Sequence, residues 1–109
     1  MLFLVIVLEK QECLEDVLSA LIEVGVTNSS IVESTSMDKA LADTVPIFAG
    51  LRHEMWRHPY TKTILALVEE ERILDELIGI LKEEGIDFEE EDTGMLVALP
   101  VARAIGHDN

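Results

Sequence analysis

Laying residues 14–26 over residues 74–86 puts Leu14 on Leu74, Val17 on Leu77, Leu18 on Ile78, Leu21 on Leu81, Gly25 on Gly85 and Val26 on Ile86. The acids Glu15 and Asp16 fall on Asp75 and Glu76. In both copies the apolar residues recur at i, i+3, i+4 and i+7, which lines them up on one stripe of a helix. A glycine follows where the chain needs a left-handed turn to leave that helix. A continuous apolar run precedes each helix, Leu2 to Leu8 and Ile64 to Val68, and a strand candidate follows each, Ser30 to Ser34 and Met95 to Leu99. The order is strand, helix, strand, twice over.

Two successive β-α-β units in one short chain give an α+β fold of the ferredoxin-like βαββαβ kind: a four-stranded antiparallel sheet with two helices on one face. The first, third and fourth strands carry almost no polar residue on either alternate set, although a sheet with one wet face should alternate apolar and polar. Both faces must therefore be dry, and two helices cover only one. The expected cover for the second is the same face of other copies of this chain, giving a compact homo-oligomer. The other cover available is the 35–61 segment folded back over the sheet.

Residues 1–109 read as one domain, since about 100–200 residues build a single core and no linker divides the chain. A 49% hydrophobic content with three prolines and six glycines excludes a disordered tail or a collagen-like fibre. Twenty-two acids against eight Lys and Arg give a formal charge of −14, which repels nucleic acid and anionic membrane surfaces. Cys13 is the only cysteine, so no intrachain disulfide can form and a reducing cytoplasm is the expected location. The opening apolar run lacks a basic flank and a small-residue cleavage site and is too short to cross a bilayer. It reads as a buried strand of a chain starting at Met1, with no membrane insertion.

The connection from Thr35 to Thr61 is about 27 residues long, where a hairpin needs about two to five. Lys39, Arg52, Arg57 and Lys62 are half of all the basic side chains and His53 and His58 are two of the three histidines, and from 39 to 62 only Asp43 and Glu54 oppose them. In so acidic a chain this is where an anionic ligand or an acidic neighbour is attracted. Val45-Pro46-Ile47-Phe48 through Trp56 reads as a short helix with Phe48, Leu51, Met55 and Trp56 on one side, either packed on the body of the protein or docking on a partner.

Catalytic and metal signatures are weak. His53 and His58 are five apart, not the i, i+4 spacing of a zincin helix, and no His-Glu-x-x-His is present. The runs Glu69 to Glu71 and Glu89 to Asp92 read as solvated ends of elements, and Glu69 to Glu71 suit a helix N-terminus. The sequence has no Gly-x-Ser-x-Gly elbow, no P-loop and no Gly-x-Gly-x-x-Gly, and Cys13 beside the first helical stripe is expected to be packed. The chain is expected to be no enzyme and to hold no metal of its own.

The β-α-β repeat, the long excursion between strands two and three, and the closing stretch Asp92-Thr93-Gly94-Met95-Leu96-Val97-Ala98-Leu99-Pro100-Val101 together resemble the PII-type nitrogen regulatory proteins and their PII-like relatives. The resemblance spans nearly the whole chain and implies a cytoplasmic homotrimer with its sheets packed inward. It also implies adenine nucleotides in clefts between subunits and a signalling role in which the 35–61 loop contacts a target protein. The family's Gly-aromatic-Gly at the loop base is Ser36-Met37-Asp38 here, its Gly-x-Gly-Lys before strand four is Asp92-Thr93-Gly94-Met95, and its C-terminal arginine pair becomes Ile105 and His107 with Arg103 nearby. With fewer cations and fewer glycines for close phosphate approach, the expected effector is a small anionic metabolite. The residues expected to bind it are Thr35, Ser36, Met37, Lys62, Thr93, Gly94 and Arg103, with Arg52, Arg57 and His58 steering ligand or partner. A metal-binding trimer of the CutA kind, or a structural oligomer with no ligand, are the alternative readings.

Overall fold

The computed structural model describes residues 1–44 and 60–106. Strand β1 (Leu2–Leu8) leads through a 3-10 turn (Gln11–Cys13) into helix α1 (Leu14–Glu23) and strand β2 (Ser29–Thr35). Helix α2 (Met37–Thr44) follows, then strand β3 (Tyr60–Val68), helix α3 (Glu71–Glu83) and strand β4 (Gly94–Pro100). The strands form one four-stranded sheet in the order β2-β3-β1-β4, and every neighbouring pair is antiparallel. Thus β1 and β2 run parallel with β3 between them, as the expected arrangement requires. The repeated glycines end their helices in the same way. Gly25 and Gly85 sit at φ +86° and +84°, and the amides of Val26 and Ile86 reach back to the carbonyls of Leu21 and Leu81, both at 2.8 Å. Each pair closes a Schellman turn and buries its two apolar side chains together.

One set of alternate strand residues makes the core. Leu4, Ile6 and Leu8 of β1 and Ile64, Ala66 and Val68 of β3 are buried under Val17, Ala20 and Leu21 of α1 and Leu74, Leu77 and Leu81 of α3. Fully burying each of the larger side chains stabilises the fold by about 1.5–3 kcal/mol, so this helix-covered face supplies most of the driving force. The other alternate set, Phe3, Val5 and Val7 with Leu65, Leu67, Met95, Val97 and Leu99 aligned across the sheet, faces away from both helices. There Leu67, Met95 and Leu99 remain 40%, 56% and 49% exposed. Only at the Phe3 end is this face bordered by the terminal residues Ala104 to Gly106.

The strands run longer than the sequence implies. β3 begins at Tyr60, before the expected Ile64, so Tyr60 and Thr61, expected in the long connection, and Lys62, expected just ahead of the strand, belong to the sheet. Cross-strand partners on β2 extend the ladder: Glu33 opposes Lys62, Ser34 opposes Thr61 and Thr35 opposes Tyr60. Helix α2 lies in the connection just after β2, where no helix was expected; Ser36 caps it, its Oγ accepting the Lys39 N–H at 3.3 Å. The helix expected over 45–56 lies outside the described residues, as does the whole of 45–59.

At the edge strand β4, the bonds from Glu9 N–H to the Thr93 carbonyl and from Val101 N–H to the Met1 carbonyl, both 3.0 Å, fix which residues bond to β1. Alternation then turns the amide position of Pro100 outward, where its missing N–H removes one exposed donor from the open edge.

Two glycines should respond to alanine in opposite ways. A Cβ on Gly94, at φ +136°, would lie 1.9 Å from the Val7 carbonyl oxygen, whereas one on Gly79, in the exposed face of α3, would meet nothing within 4 Å. In urea denaturation Gly94→Ala is expected to destabilise by about 3 kcal/mol or more, and Gly79→Ala to stabilise by about 0.5–1 kcal/mol.

Candidate functional site

The C-terminal ends of β1 and β2 and the N-terminal ends of β3 and β4 meet at one end of the sheet, where Glu33, Lys62, Leu8 and Gly94 form one cross-strand row. The polar residues missing elsewhere from β3 collect here. Ser34 Oγ lies 2.5 Å from Thr61 Oγ1 and 3.0 Å from Thr63 Oγ1, and it donates to the Thr61 carbonyl at 3.2 Å. This hydroxyl cluster satisfies itself within the chain, which lets Thr61 sit buried on the otherwise apolar face. On the other side of the strands Lys62 Nζ pairs with the Glu33 carboxylate, its side chain 20% exposed against 80% for Glu33.

Three elements frame an open cleft of about 380 Å³ around this pair, lined by Gln11, Glu33, Ser34, Thr35, Tyr60, Thr61 and Lys62. Gln11 anchors the 3-10 turn to the strand by donating from Nε2 to the Tyr60 carbonyl at 2.9 Å. From α2, Lys39 places its ammonium 5.3 Å from the centre of the Tyr60 ring and pairs with Asp43 one turn on. Residues just before the undescribed segment therefore rest on the strand just after it.

The expected site residues divide into two groups. Thr35 and Lys62 line the cleft, while Ser36 and Met37 continue directly from Thr35. The Ser36 hydroxyl is engaged as the cap of α2 and Met37 is largely exposed. Gly94 stands two strands from Lys62 in the same row, and Thr93 beside it is buried with its carbonyl holding the Glu9 amide. Arg103 is elsewhere. It follows the far end of β4, whose seven residues at about 3.3 Å each separate it from Gly94 by roughly 20 Å or more. At that far end a second cleft of about 350 Å³ opens on the apolar face among Phe3, Asn28, Ser30, Leu65, Leu67 and Ile105. Within one copy Lys62 and Arg103 therefore belong to opposite ends of the sheet.

Gln11, Glu33, Ser34, Tyr60 and Thr61 were not among the expected site residues. Their only local signal is the polar interruption Tyr60 to Thr63 before an apolar run, and the pairing that gives it meaning joins residues far apart in sequence. Arg52, Arg57 and His58 lie outside the described residues, and so do His53 and His107. Among the described residues no group of His, Cys, Asp and Glu is placed to hold a metal ion, and no helix is long and apolar enough to cross a membrane.

Charge at the site is largely matched locally. The hydrogen bond and the charge of Lys62 hold the Glu33 carboxyl below the usual glutamate range. What the exposed pair adds to stability is present above the ordinary glutamate range and fades as pH falls through the depressed value, and exposure keeps it small. The Lys39 ammonium is raised by its bond to Asp43, partly opposed by desolvation. No protein-family model matches this chain, and a search of curated proteins finds no relative.

Burial, followed by the neighbouring carboxylate of Glu12, pushes the Cys13 thiol up. This thiol ends the turn that carries Gln11 and reports on its integrity. At pH 8 the native protein is expected to react with iodoacetamide at least about threefold more slowly than the chain unfolded in guanidinium, as read by intact mass.

Proposed function

We propose that this chain is a non-enzymatic, PII-like regulatory protein that assembles as a homotrimer in the cytoplasm. It binds a small anionic metabolite in clefts shared between copies and regulates a target protein through the 35–61 connection. The observation that carries the reading is the apolar face of the sheet left open by the described residues, with the Lys62 cleft at one end and Arg103 at the other. Packing that face against neighbours removes Leu67, Met95 and Leu99 from water, and a cyclic arrangement can set the Arg103 end of one copy beside the Lys62 end of the next. Such a cleft would hold Thr35 to Met37, Lys62, Thr93 and Gly94 of one copy and Arg103 of its neighbour. An adenine nucleotide is the ligand the resemblance favours; the small number of cations favours a smaller anion.

Transmission follows from where the connection is rooted. The start of β3 lines the cleft through Tyr60, which α2 touches through Lys39 and the 3-10 turn holds through Gln11. A ligand that binds one arrangement of these roots more tightly than another shifts the population of loop states, and with it affinity for the target.

The shared cleft predicts complementation between variants. Lys62→Ala and Arg103→Ala should each weaken anion binding at least about tenfold, roughly the loss of a charge-assisted contact. Unfolding an equimolar mixture and refolding it together should restore about one quarter of the high-affinity sites, because each intact site then takes its two cations from different chains. Titration calorimetry with adenine nucleotides, bicarbonate and dicarboxylates reads the outcome. A co-refolded mixture that binds no better than the separate variants would overturn the shared cleft.

A further inference from the structure

We propose that Glu33 is a built-in competitor for the Lys62 site, a tethered carboxylate that an anionic ligand must displace before it reaches the ammonium. The inference rests on the reading of Lys62 as an anion-binding residue and adds a regulator to it. The pair is asymmetric: the lysine side chain is mostly enclosed at 20% exposure, while the glutamate reaches it from solvent at 80%. Among the described residues neither side chain has another hydrogen-bond or ion-pair partner. Swinging the carboxylate outward therefore breaks one contact and leaves the mostly enclosed ammonium facing the cleft, where an incoming anion can take the carboxylate's place. Swinging the lysine away would instead remove its charge from the cleft formed with Thr35, Tyr60 and Gln11.

Register fixes the competitor in place. Glu33 and Lys62 are directly opposed on β2 and β3, so the carboxylate is presented to the ammonium at a high local concentration that dilution cannot lower. The neighbouring hydroxyls do not relieve it, since Ser34, Thr61 and Thr63 are bonded to one another on the opposite face. An anion then meets a site of which only the fraction with Glu33 turned away is competent, and its apparent dissociation constant rises by the reciprocal of that fraction. Anions lacking further contacts are held below occupancy, and the site responds in a higher concentration range than Lys62 alone would set.

The test uses the full chain and inorganic phosphate as probe, with circular dichroism confirming that each variant is folded. Glu33→Gln should bind phosphate about two- to fivefold more tightly than the unaltered protein, the range expected on releasing an exposed ion pair. Lys62→Met should abolish binding in both backgrounds. In the unaltered protein, saturating phosphate should move the Glu33 carboxyl ¹³C resonance toward that of an unpaired, exposed glutamate. Equal or weaker affinity in Glu33→Gln, or a Glu33 resonance that does not move while phosphate binds through Lys62, overturns the competitor and leaves the anion site standing. Phosphate affinity that survives Lys62→Met, or no phosphate binding to Glu33→Gln, overturns the site reading and the competitor with it.

Discussion

The alternate side chains of β1 are apolar in both directions, and most of the molecule follows from that. Leu4, Ile6 and Leu8 take the face on which α1 and α3 close, and this leaves Phe3, Val5 and Val7 on the other. Aligned with them across the sheet are Leu65, Leu67, Met95, Val97 and Leu99, and the described chain offers only the short stretch from Ala104 to Gly106 along one border. Apolar surface of this extent is stable in water only when something covers it. In the proposed assembly a second copy of the same face supplies that cover, with matching chemistry.

On β3, polarity is confined to the end where the strand begins. The first residues of β3 carry Thr61, Lys62 and Thr63, whose groups are answered by Ser34 and Glu33 of β2. The self-satisfied hydroxyls leave no donor or acceptor demanding a partner if the apolar face is buried. The Lys62 and Glu33 pair instead stays on the helix side, open to solvent. Core, exposed apolar face and cleft thus use different alternate sets or different ends of the same strands.

Much of the architecture was legible because its signals are local. The glycines at 25 and 85 announce helix ends, and the i, i+3, i+4 spacing of Leu14, Val17, Leu18 and Leu21 announces the buried stripe. The unbroken apolarity of Leu2 to Leu8 announces a strand with two dry faces. The start of β3 was less legible because Tyr60 to Thr63 lack the apolar character of the strand they begin, and their membership rests on hydrogen bonds to β2. The same holds for Glu33, which in sequence is one acid among many and gains its role only from standing opposite Lys62. Helix α2 was missed because Met37 to Thr44 carries a weak apolar stripe, whereas Phe48 to Trp56, outside the described residues, carries a stronger one. Arg103 was grouped with Lys62 by resemblance alone, and β4 sets the two at opposite ends of the sheet.

Sedimentation equilibrium of the purified chain across the micromolar range tests the covered face most directly. The account predicts a single species at three times the 12.1 kDa chain mass. A species at the chain mass itself, stable and soluble at tens of micromolar, would contradict it.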